Sequence, residues 1–329
     1  MRHSNILVLG GSGFIGSHLV AALAARGARV CVPSQRREKA KHLILLPTVD
    51  VVDADVHDPR TLLRLARGRD AVVNLAGILH SRRGRPDERG PNDYGPDFAR
   101  VHVELAQAAV NVCREAGVQR LVHMSSLGAA SDGPSEYLRS KGVGERAVLA
   151  AEDLETTVLR PSVVYGPGDR FLNLFARLAR FFPVLPVACA DWRCQPVYVG
   201  DVVAALVAAL GWNADGRVAR AERGRFDLCG PKVYTLAELV RFACAVTGRR
   251  RAVIALPDFV ARLQARIFEW MPQPLLTRDN LRSMQIPSTS EAPFPFGIVP
   301  QPLEAVAPVY LAGRTPSLRN SMLRWRAHR

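Results

Sequence analysis

Lysine is almost missing from this chain. It occurs only at positions 39, 41, 141 and 232, so nearly all of the 44 basic residues are arginine. With abundant alanine beside it, that skew reads as a compositional bias of the coding sequence. The net charge of +14 is therefore weak ground for a nucleic-acid partner, and no aromatic–basic motif accompanies it. It still draws the protein toward anionic ligands or anionic membrane surfaces. Cysteine is sparse and scattered: the six, at 31, 113, 189, 194, 229 and 244, include no C-x-x-C pair and no neighbouring histidine pattern. Such spacing argues against a metal site and against a disulfide framework. It suits reduced thiols in a cytoplasmic protein. Long apolar runs are lacking too. Phe181–Ala190 and Val202–Trp212 are too short or too proline-broken to span a bilayer, and strand-like residues begin at Asn5 with no leader pattern before them. The expectation is a cytoplasmic protein, at most peripheral at an inner membrane. Internal repeats and low-complexity tracts are absent.

What is present is enough apolar material, 48% of 329 residues, for a full core. The first half alternates apolar runs at 5–10, 29–33, 49–53, 71–75, 120–125 and 156–160 with helical patterns at 14–26, 58–67, 97–116 and 136–151. Nearly continuous apolar strands separated by helices specify a parallel sheet covered on both faces. After Gly166 the rhythm shifts to helices near 171–181, 201–210, 235–247 and 258–270, a strand near 225–228, and short helices near 278–285 and 303–311. The expected fold is α/β: a Rossmann-type doubly wound parallel sheet with a smaller C-terminal α/β substrate lobe. The core takes residues 1–166, with elements around 195–212 returning to it; the lobe takes 167–313, and 314–329 form a basic tail. Residues 80–97, rich in Arg, Gly, Pro and Asp, read as a long loop over the sheet edge and a candidate substrate cover.

Three local patterns carry chemistry. Gly10-Gly11-Ser12-Gly13-Phe14-Ile15-Gly16 stands between the apolar run Ile6–Leu9 and a helix. Gly10 permits a tight turn, Gly13 lets a phosphate approach the backbone, and Gly16 lets helix pack on strand. The free N–H groups of the first helical turn, at Phe14 and Ile15 among others, then face a dinucleotide diphosphate. At the end of the second strand, Cys31-Val32-Pro33-Ser34-Gln35-Arg36-Arg37 lacks the acid that holds both ribose hydroxyls of NAD. Ser34, Arg36 and Arg37 suit a 2′-phosphate instead, so NADP(H) is favoured over NAD(H). Finally, Tyr137 and Lys141 lie four apart on one helix face. A neighbouring ammonium lowers a phenol's pKa and makes it a usable proton donor to a carbonyl. Ser126, closing His123-Met124-Ser125-Ser126, is placed to hold the same oxygen.

Together these patterns resemble the short-chain dehydrogenase/reductase superfamily over roughly residues 4 to 250. Asp55-Val56 resembles the place where members hold the adenine. Asn74-Leu75-Ala76-Gly77 is similar to the N-x-A-G element, and Arg160-Pro161-Ser162-Val163-Val164-Tyr165-Gly166-Pro167 to the extended branch's R-P-x-x-x-Y-G-P segment beside the nicotinamide. Gln195–Val199 with Asp201-Val202 resembles that branch's later strand-to-helix junction. The resemblance thus adds Asp55, Val56, Leu75, Ala76, Gly77, Pro161 and Val164 to the cofactor contacts, with Tyr137 and Lys141 also touching the nicotinamide ribose. It makes Ser126, Tyr137 and Lys141 the catalytic set.

A narrower likeness covers nearly the whole chain. Tyr137–Glu145, Gly168–Phe175, Gln195–Val199, Leu275–Asn280 and Phe296-Gly297-Ile298 resemble the atypical branch that contains the dehydrogenase-like accessory subunit of respiratory complex I and its bacterial relatives. That branch implies tight NADPH binding in a structural role, and a respiratory membrane complex as partner. This chain departs from it in keeping Ser126, Tyr137 and Lys141 together. Against that, His102 stands where many extended members have Asn, and the short Ser126-to-Tyr137 spacing trims the loop that shapes a substrate pocket. An oxidoreductase acting on a small-molecule carbonyl, alcohol or quinone-related ligand is the leading expectation. A non-catalytic assembly protein and a sugar-nucleotide epimerase or dehydratase are the alternatives. Phe259, Leu263, Ile267 and Trp270 with Arg262 and Arg266 define a basic amphipathic helix, suited to closing a lobe core, to a membrane surface or to a partner's groove.

Overall fold

The computed structural model describes residues 4–82, 94–212, 222–271 and 274–312. Most of the expected 80–97 loop and the basic tail lie outside the described residues. Seven strands form one parallel sheet: β1 (Asn5–Leu9), β2 (Arg29–Ser34), β3 (Val49–Asp53), β4 (Ala71–Asn74), β5 (Arg120–Met124), β6 (Glu155–Pro161) and, after the short strands below, β11 (Gly224–Leu228). Their order is β11-β6-β5-β4-β1-β2-β3. The chain thus runs outward from β1 in one direction and then, from β4, in the other. The crevice between the carboxyl ends of β1 and β4 is the place where such sheets bind ligands.

Alternation decides which helix covers which face. Ile6 and Val8 of β1 pack with Leu19 and Leu23 of α1 (Phe14–Ala24) and with Val202 and Leu206 of α7 (Val199–Ala209). Leu7 and Leu9 pack on the other face against α2 (Pro59–Ala66), α4 (Leu105–Ala116) and α5 (Glu136–Leu149). The single helix expected over 97–116 is instead a one-turn piece, α3 (Pro96–Phe98), and a π-helical segment, Ala99–Glu104, leading into α4. The wider turn carries His102, whose contacts are given below, and such turns recur at functional sites.

The C-terminal lobe packs α6 (Leu172–Phe181), α8 (Leu236–Val246) and α11 (Leu303–Leu311) around Tyr165, Cys194 and Tyr234. Short strand pairs missing from the periodicity brace it. They are β7 (Val164–Tyr165) with β10 (Val197–Tyr198), β9 (Arg193–Cys194) with β12 (Tyr234–Thr235), and β8 (Val184–Val187) with β13 (Ala252–Ala255). Two- to four-residue strands are too short to show alternation. Two further helices, α9 (Asp258–Phe268) and α10 (Arg278–Ser283), close the lobe toward α5.

Candidate functional site

The glycine corner is built by backbone alone. Gly10 has φ +77°, and a Cβ there would lie 2.8 Å from the Ala76 amide nitrogen. The loop after β4 is therefore pressed against the turn after β1. At Gly16 a Cβ would overlap the Gly10 carbonyl oxygen, so only glycine lets α1 start this close to the strand. The Gly13 N–H donates to Gly10 O at 3.0 Å, and no side chain caps α1. The open amides at Phe14 and Ile15 and the positive end of an eleven-residue helix suit a diphosphate.

Along the β2 and β3 ends, Ser34 is buried and donates to Arg36 O at 3.0 Å. Arg36 and Arg37 are exposed, with no ion pair among the described residues. Arg37 also borders a recess of about 360 Å³ with Cys31, Asp50 and Arg69. Asp55 accepts from Gln35 Nε2 at 2.7 Å and from the His57 N–H at 2.9 Å, and Arg100 lies 3.5 Å away. The His57 amide bond holds the Asp55 carboxyl below the usual range, with Gln35 and Arg100 adding to it. Val56 follows at the head of the loop.

Tyr137 and Lys141 sit on α5, and the way α5 begins fixes both. Ser135 caps it, accepting from the Leu138 N–H at 3.1 Å. Asp279 of α10 adds a second cap, its two carboxylate oxygens accepting from the Glu136 and Tyr137 N–H groups at 2.8 and 3.0 Å. Lys141 Nζ donates to Met124 O at the end of β5, 3.1 Å away. A Cβ on Gly77 would come within 3.3 Å of that same Nζ. The Asn74–Gly77 loop is thus the floor beneath the lysine; Asn74 Oδ1 holds its shape by accepting from the Ala76 N–H at 3.1 Å. Pro161 O accepts from the Leu127 N–H at 3.0 Å, joining the β6 end to the Ser126 loop, and Val164 follows in β7.

The i,i+4 spacing predicts a lowered Tyr137 phenol, and the structure reverses that. Burial pushes the phenol up, and a hydrogen bond with the Ser126 side chain only partly offsets it. The ammonium points at Met124 O instead, and burial lowers its own pKa to about 8, against the opposing pull of Glu145. His102, in the Asn position, has a definite job. Its Nε2 accepts from the Ile78 N–H at 3.1 Å, and its Nδ1 lies 2.9 Å from Ser140 Oγ, which donates to Tyr137 O. That arrangement puts the proton on Nδ1. Burial and the Lys141 charge push His102 down to about 2, so the ring is neutral. It also lies edge-on to Tyr137, 5.6 Å between centroids, and stacks on Phe98.

Three contributors escape sequence reasoning. Asp279 caps α5 from more than a hundred residues away, though it lies inside the Leu275–Asn280 stretch already singled out. Glu145, buried one turn past Lys141, accepts from Ser125 Oγ at 2.6 Å and faces Arg160 and Arg225 at 3.7 and 3.5 Å. Arg160 in turn reaches Ser126 O at 3.3 Å. Glu145 and Arg160 stand inside stretches already singled out, Tyr137–Glu145 and Arg160–Pro167, but nothing in those motifs pairs the two side chains.

Fold and corner together define a doubly wound protein of the nucleotide-binding class. The chain belongs to the NAD dependent epimerase/dehydratase family, whose sequence profile matches residues 6–221. Among curated relatives it is 31% identical over 309 residues to the mitochondrial NADH dehydrogenase (ubiquinone) 1 alpha subcomplex subunit 9 of Mus musculus, spanning 90% of this chain and 77% of that protein. It is 36% identical over 254 residues to the ceramide reductase of Caulobacter vibrioides (strain NA1000 / CB15N), spanning 77% of this chain and 74% of that one. Among solved structures, MoeE5 in complex with UDP-glucose and NAD superposes with a TM-score of 0.58 at 26% identity, over 77% of this chain and 85% of that one.

Proposed function

We propose that the protein is an NADP(H)-binding oxidoreductase of the short-chain dehydrogenase/reductase type that interconverts a carbonyl and an alcohol. The observation that carries this reading is the meeting of three elements: Gly10 against Ala76, Gly77 against Lys141 Nζ, and Lys141 on the end of β5. One ligand lying on the Gly10–Gly16 corner and crossing the Leu75–Gly77 loop would end at Tyr137. The bound nicotinamide supplies or accepts the hydride. Tyr137 gives its phenolic proton to the carbonyl oxygen, or takes it back in the reverse direction. Ser126, hydrogen-bonded to that phenol, orients the substrate oxygen. Lys141 donates to the ribose and supports the phenolate as it forms. On the adenine side Ser34 and Arg36, with Arg37, take the 2′-phosphate, and Asp55 and Val56 border the base. The name of the Caulobacter relative supports reductive chemistry for this chain.

The second reading is a cofactor-holding accessory protein of a respiratory complex, with the coenzyme acting as a folding ligand. Likeness to the mouse subunit across 90% of this chain favours it, as does a phenol pushed up rather than down. A sugar-nucleotide epimerase using the same trio is favoured by the family profile and by the likeness to MoeE5, whose structure holds UDP-glucose and NAD.

Tyr137→Phe separates the first two. With NADPH and a panel of quinones, aldehydes and nucleotide sugars, the oxidoreductase reading expects a loss of about 10²–10⁴-fold in NADPH turnover, with NADPH affinity and melting temperature preserved. If Tyr137→Phe keeps full cellular function while Arg36→Glu abolishes it together with complex assembly, the accessory reading holds instead.

A further inference from the structure

Among the described residues, fifteen large hydrophobic side chains are exposed, and nine of them lie between Phe181 and Met271. Outward apolar surface is therefore gathered on one lobe, where single scattered residues would need no explanation. Four form one stripe, three on α9 and the last in the turn that follows it: Phe259, Leu263, Ile267 and Trp270 are 74, 57, 60 and 88% exposed. The core-closing role open to this helix falls to its opposite face, where Ala261 and Ala265 pack inward. At about 100° per residue, Arg262 and Arg266 border one side of the stripe, with Asp258, also exposed, next beyond Arg262 and Glu269 half-buried in the turn after the helix. Both arginines are exposed, and Glu269 is held by Arg278 at 2.8 Å. The same lobe turns Val184 of β8 and Ile254 of β13 outward while Leu185 and Val187 face its core. Phe181 and Phe182, also exposed, follow Arg177 and Arg180 on α6.

We propose that this lobe docks on an anionic lipid bilayer through α9. The helix lies in the plane of the interface, with Phe259, Leu263 and Ile267 and the Trp270 of the following turn among the acyl chains and Arg262 and Arg266 at the lipid phosphates. Charge complementarity selects this occupant. The stripe is bordered by guanidiniums whose stems can lie along the apolar surface while their heads stay among phosphates. A large exposed tryptophan near one end of such a stripe matches the preference of that ring for the membrane–water boundary. A basic face beside an apolar one is the signature of an in-plane helix, and no helix among the described residues is long and apolar enough to cross a membrane.

Sedimentation of the full chain with vesicles tests this. Expected is binding to phosphatidylcholine vesicles containing phosphatidylglycerol, weak binding to phosphatidylcholine alone, and a blue shift of tryptophan emission on binding. Leu263→Gln/Ile267→Gln/Trp270→Ala should lower binding at least tenfold or so, because each large apolar side chain contributes substantially to partitioning. Arg262→Gln/Arg266→Gln should lower it by about fivefold per arginine, for the anionic vesicles only. The altered side chains are exposed, so circular dichroism and melting should match the unaltered protein. Should the triple variant melt early, Trp270→Ala alone, read by loss of the emission shift, replaces it. Absent vesicle binding, or binding unchanged in the apolar variants, overturns the proposal. So does a dimer that dissociates in the apolar variant without any vesicle binding, which would make the stripe a contact between copies of this chain.

Discussion

His123 shows what single side chains contribute to this site and how acid should affect it. It is buried on β5 with neither ring nitrogen hydrogen-bonded among the described residues, and Nδ2 of its β4 register partner, Asn74, is likewise unpartnered. Burial, with the Lys141 charge added, lowers its pKa to about 3. His102 is shifted the same way for the same reasons. Above the ordinary histidine value of about 6.5 both rings are neutral whether folded or not. Between there and the depressed folded values only the unfolded chain takes up these protons, so stability falls as pH falls. His123→Leu removes one such group. Urea unfolding should give the variant a stability within about 1 kcal/mol of the unaltered protein at neutral pH, and a shallower decline at acid pH. An unchanged acid slope would contradict this. The contrast with Gly10 and Gly16 explains what could be read in advance. The turn they make follows from seven consecutive residues, although the close approach of Ala76 to Gly10 does not. The solvation of His123 and the direction of the Lys141 amine depend on what packs over them, and spacing carries no record of that.

At the scale of elements, the start of α5 is the joint on which the proposed chemistry turns. Ser135 caps it from the adjoining position in the chain, as Thr235 with Glu238 does for α8. Asp279 does so from a distance, because it reaches Glu136 and Tyr137 from another helix. A carboxylate on the first two N–H groups satisfies donors left open by helix geometry and opposes the positive helix end. Asp279→Ala should cost about 1–2 kcal/mol of unfolding free energy. It should also slow turnover while sparing NADPH binding, since the glycine corner stands apart from α5. Equal stability in denaturant titrations would show that the cap is dispensable. The seven long strands and their covering helices are legible because each repeats its pattern over several residues. The π-helical turn at His102 and the two-residue strands of the lobe are not, since one extra residue or one paired dipeptide leaves periodicity unchanged.

Over the whole molecule, a strand order that reverses between β1 and β4 brings the turn after one strand against the loop after the other. α5 then lies over the second of these, with Lys141 Nζ against Gly77. A coenzyme bound across that junction binds only the folded chain and stabilises it, by about 2.7 kcal/mol at a hundredfold excess over its dissociation constant. With Ser34, Arg36 and Arg37 at the β2 end and no acid there, NADPH should raise the melting temperature more than NADH, and Arg36→Glu should remove that preference. Equal shifts from the two would count against the 2′-phosphate assignment. The most direct measurement is a crystal structure of the protein grown with NADPH. The account predicts the diphosphate on the amides of Phe14 and Ile15 and the nicotinamide ribose within hydrogen-bond reach of Tyr137 Oη and Lys141 Nζ. A glycine corner left empty, or a nicotinamide turned away from α5, would contradict it.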